Sequence, residues 1–62
     1  MRKDIEKHVQ DIIIRIGIDR PSNMDAIVDF CMQDVIDTAD KDNWHSGDVQ
    51  IAFRRFLESK SL

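Results

Sequence analysis

Apolar residues recur at helical spacing in three successive segments of the chain. In the first, Ile5, Val9, Ile12 and Ile16 stand in the 4, 3, 4 rhythm of a coiled-coil seam, and Ile13 widens it. The same stretch also carries a strand pattern, because Ile12, Ile14, Ile16 and Ile18 alternate. The helical reading is favoured. No turn signal separates Gln10 from Asp11, "RKDIEKHVQ" is rich in helix formers, and the chain offers no partner strand. The pattern predicts a helix over about residues 2–16. Gly17 suits a left-handed end to it, with Ile18 as the apolar residue that follows in a Schellman motif. Ile14 points away from the seam, so this helix should be covered from more than one direction.

In the second segment Met24, Ile27, Val28, Cys31, Met32, Val35 and Ala39 share one broad stripe, with Ile36 at its edge. Asp29, Gln33, Asp37 and Asp40 lie opposite, Asp34 sits at the border, and Phe30 falls among these acids. A helix is predicted over about 23–40, capped by Ser22 with Asp25 as a shortened capping-box acid. The third segment places Val49, Ala52, Phe53, Phe56 and Leu57 on one face and Arg54, Arg55 and Glu58 on another. It predicts a helix over about 46–59, with Ser46 as N-cap, Asp48 in the first turn and Lys60 near the negative end of the dipole. "GIDRPSN" and "DKDNWHSG" read as the two connecting loops.

The fold class is therefore all-α, three short helices in a single domain over residues 1–62. A chain this short buries only about 60% of its unfolded surface and usually needs a staple or a partner. Cys31 is the sole cysteine, so no internal disulfide can form. Helices two and three are expected to pack antiparallel, and helix one to complete the core with a second copy. Such a homodimer, intertwined or face-packed, would bury the interface residues Ile5, Val9, Ile12, Ile13 and Ile16. The apolar excess at Ile13, Ile14, Ile18 and Ile36 is the reason for expecting it, since each Ile moved out of water contributes up to ~2–3 kcal/mol.

Charge sharpens this picture. The net charge of −3 divides into +1 over residues 1–20, −6 over 21–48 and +2 over 49–62. An acidic middle disfavours nucleic acid, whose binding rests on clustered Lys and Arg. It suits a partner protein with a basic patch. Phe30, flanked by Asp34 and Asp37, is the candidate anchor for that partner. The plainer alternative is that Phe30 packs against helix one or a dimer mate.

Candidate chemistry is sparse. "DKDNWHSGDVQI" starts like a calcium loop but puts His45 where Gly is needed and Ile51 where Glu is needed. Trp44 is better read as folding onto the core. Cys31, His8 and His45 are too few and too scattered for a structural zinc site. No phosphate loop or nucleophile elbow occurs, so neither a cofactor nor an enzymatic activity is expected. No apolar run is long enough to span a membrane, and the N-terminus lacks a secretory core, which points to the cytoplasm. Two DNA-binding patterns compete. "DVQIAFRRF" resembles a homeodomain third helix, but Ala52 stands where that family has Trp and no base-reading Asn follows. The order "IIIRIGI", helix 23–40 and a Ser-capped third helix resembles a dimeric ribbon-helix-helix repressor, whose groove-facing ribbon should be polar and here is not.

In length, in its "MRKDIEKHV" start and in the run "NWHSGDVQIAFRRFLESK", the whole chain resembles the small early-region proteins of lambdoid phages, encoded between the recombination and excision genes. That resemblance implies a non-enzymatic accessory or regulatory protein of the host cytoplasm. It would influence phage development or host physiology through a host or phage partner. It assigns no functional residues.

Overall fold

Three helices, α1 (Arg2–Ile16), α2 (Met24–Thr38) and α3 (Ser46–Lys60), form the computed structural model, which describes residues 1–17 and 21–60. There is no strand among the described residues. Helix α1 takes in Ile12, Ile14 and Ile16, which removes the ribbon that a ribbon-helix-helix protein would need. Gly17 ends it at φ 74° and ψ 24°, and its N–H donates to the carbonyls of Ile13 and Ile14 at 3.1 and 3.3 Å. A side chain is strained at that φ, so Gly is the fitting residue. The expected role of Ile18 lies outside the described residues.

Local chemistry sets the other helix ends, and it differs from the expected caps. Asn23, not Ser22, occupies the N-cap of α2 and makes no side-chain cap bond. Asp25 still faces the positive end of the dipole from the first turn. The helix stops at Thr38, short of residue 40, because Ala39 is extended at φ −132° and ψ 173°. Asp40 then builds the turn: its Oδ1 accepts the N–H of Asp42 and its carbonyl accepts that of Asn43, both at 2.9 Å. At α3 the cap is reciprocal. The N–H of Asp48 donates to the His45 carbonyl at 3.0 Å, and the Asp48 carboxylate accepts the His45 N–H at 2.9 Å. The Asp48 carboxylate satisfies the N–H ahead of the helix as the acid of a capping box does, while the return bond runs to the His45 backbone carbonyl and not to a capping side chain; Ser46 is already the first helical residue. The bond from the His45 backbone N–H is the main reason that the Asp48 carboxyl lies below its ordinary range; the His45 ring adds to it and partial desolvation opposes it.

The core is drawn from all three helices. Ile5, Val9 and Ile13 enter from α1, Ile27, Val28, Cys31 and Val35 from α2, and Val49, Ala52, Phe53 and Phe56 from α3. Of the expected interface residues, Ile5, Val9 and Ile13 are buried within the single chain, packed with core residues of α2 and α3. Every pair of helices is in contact, with α2–α3 the most extensive pairing and α1–α3 the least. The Cα radius of gyration of 10.8 Å matches the roughly 10.6 Å of a compact chain of this length. Helix α1 therefore shares one core with α2 and α3 of its own chain. Its remaining interface candidates differ: Ile12 is half-buried and Ile16 is 53% exposed.

Candidate functional site

On α2, Phe30 and Asp34 of the expected partner patch make contacts with α3. Phe30 is half-buried, and its ring meets that of Phe56 edge-on at 5.5 Å and 70°. Both carboxylate oxygens of Asp34 accept from Nη1 of Arg55, at 3.0 and 2.9 Å, and the Asp34 side chain keeps only 16% exposure. Asp37 is exposed and accepts from Gln33 Nε2 at 2.9 Å, a one-turn helix pair. Earlier on the same helix Asp29 and Asp25 pair with Arg2 of α1. So the structure brings Phe30, Asp34 and Asp37 together on one helix but does not present an aromatic anchor ringed by free acids. Arg55 lies 21 residues from Asp34, and helical spacing within α2 carries no trace of it.

The open surface lies elsewhere, between α1 and α3. There residues from the C-terminal half of α1 and from α3 line a groove of about 350 Å³. Ile12, Ile16, Phe53 and Leu57 form its apolar lining, Arg15 and Arg54 stand over it, and Gln50 adds an amide. Ile16 is 53% exposed and Leu57 46%, although both belong to the apolar stripes of their helices. Ile51, 52% exposed, continues this surface beside Gln50 and Arg54. Neither Arg15 nor Arg54 has an ion-pair partner among the described residues. At the far end of the groove lie His8, Asp11 and Ser46. The His8 ring meets Trp44 edge-on at 5.5 Å, and Trp44 folds against the core as expected.

Sequence reasoning missed this groove. A signal was present in principle: Ile16 and Leu57 sit at the C-terminal ends of their stripes, Arg15 directly precedes Ile16, and Arg54 stands one helical turn before Leu57. A smaller hollow of about 220 Å³ lies on another side of α1, lined by Gln10, Ile13, Ile14 and Met24. Ile14, at 75%, is the most exposed large apolar residue described.

No group of three or more His, Cys, Asp or Glu side chains among the described residues could hold a metal ion. No helix among them is long and apolar enough to cross a membrane. Cys31 is fully buried in the core. Burial pushes its thiol up to about 11, with the nearby Asp34 charge adding to the effect. At pH 8 that leaves roughly a hundredfold less thiolate than an ordinary cysteine carries. The native protein should therefore resist a thiol-disulfide reagent, and labelling should proceed at the rate of unfolding. Rapid labelling under native conditions, timed by the released chromophore, would contradict this placement.

Neither a protein-family model, nor a curated protein, nor a solved structure matches the chain.

Proposed function

We propose that this protein is a non-enzymatic interaction factor that engages another protein through the outer face of α1 and α3. The observation that carries the reading is the exposure of Ile16 and Leu57 in a groove that the described residues leave open, with the exposed Ile51 beside it. Contiguous exposed apolar surface on a small domain marks a binding face. The resemblance to lambdoid-phage early-region proteins supports an accessory or regulatory role, with a host or phage protein as partner. Self-association as a homodimer is the second reading. It is favoured by Ile14 and Ile16, both more than half exposed on α1. A DNA-binding role draws less support, because Arg2 and Arg55 are committed to Asp25, Asp29 and Asp34.

The test pairs the wild type with a surface variant, Ile16→Glu combined with Leu57→Glu. Both should fold and melt alike. A protein captured by the wild type from bacteria early in phage infection, and lost with the variant, supports the reading. Equal capture by both removes this face from the function. Sedimentation equilibrium at micromolar concentration decides the second reading: twice the 7.2 kDa chain mass marks a homodimer. A salt-dependent mobility shift with duplex DNA would move nucleic acid to first place.

A further inference from the structure

Resting on the interaction reading, we infer that the α1–α3 groove receives an amphipathic helix of a partner protein that carries acidic residues beside its apolar anchors. The geometry is that of helix-in-groove recognition, in which large side chains at i, i+3 or i+4 and i+7 enter an apolar channel. Helices α1 and α3 form the least extensive pairing of the bundle, and Ile12, Ile16, Phe53 and Leu57 line the groove between them. A helix laid along that gap would complete a fourth side of the bundle and cover the half-exposed Ile16 and Leu57. The charge of the occupant follows from the rim. Its lining holds two guanidiniums, Arg15 and Arg54, and no carboxylate. Asp11, one turn from Arg15, is reached only at the far end, beside His8. Carboxylates on the incoming helix would find two cations that have no ion-pair partner among the described residues, whereas lysines there would meet like charge.

The same rim argues against the other occupants. A second copy docked face to face would set two pairs of arginines against each other across a two-fold axis, because an isologous contact uses the same patch twice. Its acidic α2 cannot enter instead, since Ile27, Val28, Cys31 and Val35 are buried in its own core. An anionic membrane would meet a chain of net charge −3, whose α2 face repels it.

The test uses a fluorescent helical peptide with leucines at i, i+4 and i+7 and glutamates flanking them, beside a twin with lysines in place of the glutamates. Binding is read by anisotropy, and backbone amide shifts locate it. The acidic peptide should shift the amides of residues 12–16 and 50–57. Arg15→Glu with Arg54→Glu should weaken it about tenfold and at the same time tighten the lysine twin. Leu57→Ala should weaken both peptides. All three positions are exposed, so these variants keep the fold, which unchanged melting verifies. Equal binding of both peptides at the groove would overturn the acidic assignment and leave the interaction face standing. Shifts absent from the groove with either peptide would overturn the proposal. So would concentration-dependent shifts at residues 16 and 57 without peptide, which would assign the face to a second copy. Arginine-dependent binding to anionic vesicles stronger than to the peptide would assign it to a membrane surface.

Discussion

Val9→Asp is expected to leave the chain unfolded at 25 °C, whereas Ile16→Asp should change its stability by less than ~0.5 kcal/mol. Both substitutions place a carboxylate on the apolar seam of α1, two turns apart. Val9 is fully buried among α2 and α3, with no basic side chain buried in that core to receive the charge. Removing a carboxylate from water without a partner costs several kcal/mol. A core of this size rarely supplies more than about 3–5 kcal/mol in all. Ile16 keeps half its surface in water and its new charge would stay hydrated. Circular dichroism melts of the two variants measure the contrast directly. A folded Val9→Asp protein would mean that the seam is not the core of one chain. Lost folding in Ile16→Asp would mean that the end of the seam is covered in solution by something further.

This contrast marks where the sequence was legible. The spacing of Ile5, Val9, Ile12 and Ile16 specifies a helix and its apolar side, because a 3.6-residue period is local information. Gly17 and Asp48 announce helix ends for the same reason, although the bond to His45 shows that Asp48 rather than Ser46 does the capping. What covers the apolar side is not local. Whether Val9 meets α2 of its own chain or α1 of another depends on how two loops fold back, and composition cannot decide it. Of the residues expected to form an apolar excess, Ile13 is enclosed within the single chain, Ile14 and Ile36 are exposed on it, and Ile18 lies outside the described residues.

The candidate site was less legible than the fold. On a helical wheel Phe30, Asp34 and Asp37 look like an aromatic anchor with acidic flanks. That view omits α3, which brings Arg55 to Asp34 and Phe56 to Phe30. The groove arises from the opposite circumstance. Ile16 and Leu57 look like core residues, yet both stay about half exposed in the groove between α1 and α3. In each case the pairing of helices, and not the pattern on one helix, decides which side chains remain for a partner.

Phe30 supplies the second large effect, and its expected value distinguishes anchor from core. Phe56 is 6% exposed, so Phe56→Ala should cost ~3–5 kcal/mol and bring the protein to the edge of unfolding. Phe30 is half-buried and loses less on truncation, about 2 kcal/mol, from its apolar contact area. The two rings touch edge-on at 5.5 Å, an arrangement worth about 0.5–1.5 kcal/mol beyond area. The double variant should therefore be less destabilised than the two single changes added together, by about that amount. Lys60, whose Nζ lies 5.6 Å from the Phe56 ring centroid, would lose its contact in the Phe56 variants only. Urea titrations of the four proteins, with the Phe56 variants measured in a stabilising osmolyte, yield the coupling. Strict additivity with an unchanged melting temperature for Phe30→Ala would detach Phe30 from α3 and return it to the role of an exposed anchor. A clear loss of stability with positive coupling ties Phe30 to the α2–α3 interface and leaves apolar recognition to the exposed residues of the α1–α3 groove and the hollow beside Ile14.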